Sequence, residues 1–254
     1  MRLVILAAGV GERLWPLTKD MPKSIIPIGG GRTVLQTQLE AAASAKIDDV
    51  YVVVGHLHDA VRSYVESISQ FTVNFVYNPF YDVSNNLHSL WMARWVMLGQ
   101  DVIVINGDTI VSPEVMTALV RHEESFVMTI DRKETYDEDD MKVVVENGLV
   151  RQVGKKLSSD ESNAESIGMI KFRASAASDL VSTLDEMVQN QSHRNSFWLA
   201  AVQTMIDNGG ALATLECNKN DWAEIDFHVD LATVRNWIGE QSAGLTSRWL
   251  DQKE

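Results

Sequence analysis

Residues 6–16 read LAAGVGERLWP, which sets Gly9 and Gly11 directly after an apolar run, with Arg13 two positions on and Lys23 ten beyond that. Glycines at the end of a strand let successive backbone N–H groups turn inward around an anion. Arg13 supplies a planar fork for phosphate oxygens and Lys23 a compact point charge. Together they suit a triphosphate whose α-phosphorus is to be attacked. A dinucleotide fingerprint needs a third glycine where this chain has Leu14, which argues against a dehydrogenase. A P-loop needs Gly-Lys followed by Ser or Thr, and the chain has no such triplet.

An acidic group stands apart from this loop. The apolar run DVIVING (101–107) ends in Asp108. A hard cation takes few carboxylates together with phosphate oxygens and water, so Asp108 is a candidate metal ligand. A turn-initiating aspartate is its structural alternative.

These residues need a scaffold that brings strand ends together. RLVILAA (2–8), DVYVVVG (49–55), VNFVYN (73–78) and DVIVING read as strands. TVLQTQLEAAASAK, with Thr33 as N-cap, and LHSLWMARWVML from Leu87 read as helices between them. Near-continuous apolar strands alternating with helices imply an α/β fold with a Rossmann-like, mostly parallel mixed sheet covered on both faces. In such sheets ligands bind outside the carboxyl ends of the strands. Beyond residue 126 come a strand FVMTIDR, an acidic run YDEDD (136–140) expected as a solvated loop, and a hairpin KVVVENGLVRQVG turning at Asn147–Gly148. ESIGMIKF (165–172) returns to the sheet, and SAASDLVSTLDEMV (175–188) and FWLAAVQTMIDNG (197–209) read as helices. The expectation is a single domain over 1–254. Its nucleotide-binding half spans about 1–125, its acceptor-binding half with a small lid about 126–230, and a helical tail 231–254.

The chain has 254 residues and a formal net charge of −13, which argues against nucleic acid as a partner because phosphate backbones are bound by clustered Lys and Arg. No segment is apolar enough over a sufficient length to span a bilayer, so no membrane partner is expected. The single cysteine, Cys217, excludes an internal disulfide and a thiolate zinc site, fits a reducing, cytoplasmic compartment and reads as core filling. The tail GLTSRWLDQKE carries Trp249, which could pack on a second copy in a homodimer or dock back on its own domain.

LAAGVGERLWPLTKDMPKSIIPIGG resembles the signature of the sugar-phosphate nucleotidyltransferase family, with the arginine followed by a Pro-Lys pair. The resemblance implies that Gly9, Gly11 and Arg13 hold the β- and γ-phosphates and that Lys23 contacts the α-phosphate. Leu6, Ala7 and Ala8, which lead into the loop, and Gly107, which precedes Asp108, count with the nucleotide-binding residues. INGDT resembles the family's segment holding an aspartate for Mg²⁺, and WAEIDFHVDL its E-I-D segment, so Asp226 is expected to join Asp108 on that ion. His228 reads as a partly buried structural histidine.

NPFYDVSNNLHSLWMAR (78–94), DDMKVVVENGLVRQVGK (139–155), ESIGMIKF and EIDFHVDL together resemble the phosphocholine cytidylyltransferase-like branch of that family. The branch implies CTP as nucleotide and a small phosphorylated alcohol, amine or phosphonate as acceptor. By position Asn78 and the turn Ser84–Asn85–Asn86 would line the base pocket, since an amide offers both donor and acceptor. Lys142 and Lys155 would bring charge to the acceptor's phosphate, and Glu165 would border its pocket. Trp198 and Trp222 fall in the same region; aromatic faces would suit a quaternary ammonium, although Trp198 in its helix equally suits core packing. A sugar-1-phosphate nucleotidyltransferase using UTP or dTTP and a catalytically silent nucleotide-sensing or assembly subunit on the same fold are the alternatives.

Overall fold

The structure is a computed structural model that describes residues 1–68 and 70–236. Strand β1 (Arg2–Ala7) leads into the glycine loop, three 3₁₀ turns and a small hairpin of β2 (Pro27–Gly29) and β3 (Arg32–Thr33). Then follow α1 (Val34–Ser44), β4 (Asp49–Val54), α2 (His58–Ser67), β5 (Val73–Tyr77), α3 (Asn86–Met92), α4 (Arg94–Met97) and β6 (Val102–Asn106). The second half holds β7 (Thr109–Val111), α5 (Pro113–Arg121), β8 (Phe126–Asp131), β9 (Lys142–Glu146), β10 (Leu149–Val153) and β11 (Ala164–Phe172). It continues with α6 (Ala174–Met187), α7 (Leu199–Asp207), β12 (Ala213–Glu216) and β13 (Trp222–Glu224), and residues 228–236 are helical. The remainder of the expected tail, with Trp249, lies outside the described residues. No described helix is long and apolar enough to cross a membrane.

Nine strands form one mixed sheet in the order β5-β4-β1-β6-β11-β8-β12-β10-β9. The first four run parallel, and β11 enters antiparallel between β6 and β8. Alternation along β1 explains why its sequence is apolar throughout. Leu3 and Ile5 pack under α1, α2 and α5 on one face, while Val4 and Leu6 pack under α3, α6 and α7 on the other.

Local chemistry sets several boundaries. The Thr33 hydroxyl accepts from the Gln36 N–H and starts α1, as expected. The expected helix from Leu87 breaks at Ala93 into α3 and α4. Asn147 and Gly148, at φ 52° and 76°, close the β9–β10 hairpin as a turn needing two left-handed residues.

Two long-range arrangements position the functional residues. β13 pairs antiparallel with β7, Glu224 opposite Thr109, which swings the C-terminal segment beside the end of β6. A small core of Leu14, Ile26, Ile28, Val34, Ile110, Ile225, Leu231 and Val234 then ties the glycine-loop region to that segment. In addition β11 shifts register between Ser166 and Ile170, with Gly168 at φ 76°, so its first residues also reach β9.

Candidate active site

The carboxyl ends of β1 and β6 open into a cavity of about 650 Å³. Leu6, Ala7, Ala8, Gly9, Gly11, Arg13, Lys23, Gly107, Asp108 and Asp226 all line it, along with Ser84, Asn85, Asn86 and Lys155. Gly11 takes a left-handed φ of 70°, and its carbonyl accepts from the Thr18 hydroxyl at 2.7 Å. This fixes the loop against the segment that carries Lys23.

Charges of opposite sign interlock across the cavity floor. Lys23 Nζ donates to Asp108 Oδ2 at 2.7 Å and to Asp226 Oδ1 at 2.6 Å. Arg13 donates to Asp226 Oδ2 at 3.0 Å and to Asp139 Oδ1 at 3.2 Å, and its guanidinium lies 5.3 Å from the centre of the Phe227 ring. Burial works against the Lys23 charge, but Asp108 and Asp226 hold its pKa above the ordinary lysine value. Burial likewise tends to raise the Asp226 carboxyl, and Lys23 and Arg13 bring it below the ordinary value.

A third carboxylate joins the first two. Ligand oxygens of Asp108, Glu224 and Asp226 all lie within 4.8 Å of one another. Asp108 Oδ1 is buried and has no hydrogen-bond partner among the described residues. Desolvation, then the charges of Asp108 and Asp226, raise the Glu224 carboxyl well above its ordinary value. Three hard oxygen donors, one of them orphaned, fit a divalent cation of the Mg²⁺ type. Glu224 was not singled out from the sequence, although E-I-D places it two residues from Asp226, on the same side of an extended segment.

Other expected site residues lie elsewhere. Asn78 is fully buried and does not line the cavity: its amide donates to Ser89 Oγ at 3.0 Å and its oxygen accepts from the Phe80 N–H at 2.9 Å. One end is spent on α3 and the other on the turn after β5. Trp198 is core, with its indole N–H donating to Asn106 Oδ1 at 2.9 Å; its neighbours Asn195 and Phe197 reach the cavity instead. Lys142 is buried, and its ammonium donates to the Lys155 carbonyl at 3.0 Å, so it supports the backbone that carries Lys155. Trp222 and Glu165 line a second cavity rather than the first. The indole N–H of Trp222 donates to Asp131 Oδ2 at 2.9 Å.

The acidic run is not simply solvated. Asp139 stands on the cavity wall between Arg13 and Lys155, whose Nζ lies 3.7 Å from its Oδ1 and 5.2 Å from the Phe197 ring centre. His228 is exposed rather than partly buried, yet its Nε2 bonds the Trp15 carbonyl at 3.1 Å, a structural role. Burial pushes the Cys217 thiol up to about 12, which makes it an inert core group.

Residues 2–241 match the nucleotidyl transferase family, and the chain belongs to that family. It is 29% identical over 251 residues to a CTP:phosphoglutamine cytidylyltransferase of Campylobacter jejuni, covering 91% of this chain and 98% of the relative. It is 27% identical over 202 residues to a 2-aminoethylphosphonate cytidylyltransferase of Lancefieldella rimae, covering 77% and 76% of the two chains. The CTP:phosphocholine cytidylyltransferase structure from Streptococcus pneumoniae shares the fold, with a TM-score of 0.77 at 22% identity over 93% of this chain and 98% of the other. The expected fold class and family are thus both found.

Proposed function

We propose that the protein is a Mg²⁺-dependent cytidylyltransferase that joins CTP to a small phosphorylated or phosphonate acceptor of the phosphocholine or 2-aminoethylphosphonate type. An acceptor oxygen forms a new bond to the α-phosphorus of CTP, the bond from that phosphorus to the β-phosphate bridge oxygen breaks, and pyrophosphate leaves. The observation that carries this reading is the interlocked set Arg13, Lys23, Asp108, Glu224 and Asp226 beside a glycine loop at the ends of β1 and β6. The cytidylyltransferase relatives support the choice of nucleotide.

In this reading residues 1–125 form the nucleotide side and 126–230 the acceptor side. Gly9, Gly11 and Arg13 take the β- and γ-phosphates and stabilise the departing pyrophosphate. Lys23 leaves its carboxylate partners for the α-phosphate and neutralises charge there. The side chains of Asp108, Glu224 and Asp226 would hold the cation, which supplies Lewis-acid charge neutralisation to the triphosphate. The acceptor's phosphate is already anionic at neutral pH, so no general base is required. Catalysis is positioning and charge neutralisation. Lys155, placed by Lys142 and facing Phe197, meets the acceptor anion.

The test is pyrophosphate release with CTP, UTP, dTTP, ATP and GTP, each paired with phosphocholine, phosphoethanolamine, 2-aminoethylphosphonate, 2-hydroxyethylphosphonate and glucose-1-phosphate, with and without EDTA. Release confined to CTP with a small acceptor and abolished by EDTA is the expected result. Turnover of UTP or dTTP with glucose-1-phosphate would replace this reading by the sugar-1-phosphate one. Silence throughout would favour a nucleotide-sensing subunit.

A further inference from the structure

A second cavity of about 560 Å³ opens beside the first and shares Asp139, Glu224 and Asp226 with it. Eight carboxylates line this space against one ammonium, that of Lys133. Its wall includes Glu165, at the curled end of β11, where it pairs with Asp131 of β8 and Lys142 of β9. The Glu165 residue is only 3% exposed. Its Oε2 accepts from Lys133 Nζ at 2.6 Å, and the same ammonium donates to Asp140 Oδ1 at 3.2 Å. Glu165 Oε1 is buried and has no partner among the described residues.

A buried carboxylate oxygen without a donor is unfavourable, and folded chains seldom leave one without a reason. The packing around Lys133 shows which group satisfies this site, because an ammonium already sits between Glu165 and Asp140. Two of the aromatic faces nearby already carry cations, and the third, Trp222, lines this cavity with its indole N–H held by Asp131. Phe197 carries the Lys155 ammonium and Phe227 the Arg13 guanidinium. A quaternary ammonium needs such faces and has no N–H to give. Once Glu165 is ionised, the orphaned oxygen asks for an N–H donor.

Resting on the cytidylyl-transfer reading, we infer that the acceptor carries a primary ammonium group, which enters the second cavity and donates to Glu165 while its phosphate or phosphonate stays beside Lys155. The acceptor class is therefore an aminoalkyl phosphate or phosphonate, in preference to its hydroxyl counterpart or a trimethylammonium compound. The trimethylammonium compound has no N–H and leaves the Glu165 oxygen unpaired, while the hydroxyl compound can donate an O–H but brings no positive charge to a cavity lined by eight carboxylates and one ammonium.

The experiment compares kcat/KM for 2-aminoethylphosphonate, 2-hydroxyethylphosphonate and phosphocholine with CTP and Mg²⁺, using the full chain and its Glu165→Gln and Asp140→Asn variants. The wild type is expected to favour the amine at least about tenfold over both others. Either variant should shrink that ratio severalfold through KM for the amine. Asp140→Asn, on a more exposed loop, guards against loss of folding in the first variant, and thermal melting checks both. If CTP-dependent pyrophosphate release occurs but the hydroxyl or trimethylammonium acceptor matches the amine, or neither variant moves the ratio, the inference is overturned and cytidylyl transfer stands. Silence with all three acceptors, with CTP still raising the melting temperature, overturns the inference and leaves only nucleotide binding.

Discussion

Lys23 and Asp226 stand 203 positions apart in the chain and 2.6 Å apart in the site. The pair exists because β13 docks on β7 and carries Asp226 to the cation that follows the glycine loop. Lys23 at the same time holds Asp108, so one ammonium joins two of the three carboxylates suited to a metal. In the proposed reaction metal and lysine would draw on the same two carboxylates, and loading the site with the cation would free Lys23 for the nucleotide.

Lys23→Met separates these roles. Without the ammonium, Asp108 loses its counter-charge and Asp226 keeps only that of Arg13, so Mg²⁺ should bind more tightly in the absence of nucleotide, as titration calorimetry would read. Turnover should nevertheless fall by about 10²–10³, the size of losing one preorganised charge at the reacting phosphorus. An unchanged kcat would remove Lys23 from the chemistry.

Glu224→Gln tests the third carboxylate. The amide keeps the shape of the side chain and removes one anionic oxygen donor, so the Mg²⁺ concentration for half-maximal rate should rise at least about tenfold. Saturating Mg²⁺ should restore most of kcat. A metal dependence identical to wild type would leave Asp108 and Asp226 as the whole ligand set.

How much of this was legible in the sequence follows from the range of each signal. The glycine loop, Arg13 and Lys23 are local, and residue type and spacing carry their meaning. Asp108 could be read because it ends a strand. Asp226 came through resemblance, and Glu224 was passed over because β13 is only three residues long and is defined by pairing with β7. Helices α2 and α5 were not distinguished either. The buried residues of α2 are only Val61 and Val65, whereas α5 does carry a signal in Ser112, which caps it, and Pro113 at its first turn. Asn78, Lys142 and Trp198 illustrate a different limit. Resemblance to the branch placed them at the site, but hydrogen bonds to Ser89, Lys155 and Asn106 turn their polar ends into the protein.

Two glycines should respond in opposite ways to a single methyl group. A Cβ on Gly107 would stand 2.6 Å from the Leu6 carbonyl oxygen and 2.9 Å from Ala7 Cα, both backbone atoms that cannot turn aside. Gly107→Ala should therefore cost about 1–3 kcal/mol of stability and displace Asp108, lowering kcat. A Cβ on Gly9 meets no protein atom within 4 Å, yet Gly9 lines the cavity. Gly9→Ala should melt like wild type and bind CTP more weakly. Equal melting temperatures for wild type and Gly107→Ala, by calorimetry, would contradict the close approach of β1 and β6.

Glu165 should make stability fall as pH rises through the neutral range. Burial raises its carboxyl from the ordinary 4.5 to about 7, an effect that Lys133 opposes and Asp140 reinforces. Between those two values the folded protein holds a proton that the unfolded chain has released, so unfolding becomes easier as pH rises from about 4.5 to about 7. The loss amounts to at most about 3 kcal/mol, the free-energy equivalent of such a displacement. Asp140 and Asp226, held below their ordinary values, act in the opposite sense but at more acidic pH, below the carboxylate range of the unfolded chain. Glu224 acts in the same sense as Glu165, so wild type alone would not separate the two. The difference in unfolding free energy between wild type and Glu165→Gln does separate them, because the amide does not titrate. Measured by urea unfolding in EDTA, that difference should shift against wild type between pH 5 and pH 8. A flat difference would mean that Glu165 titrates as an ordinary glutamate and that its buried oxygen carries no such penalty.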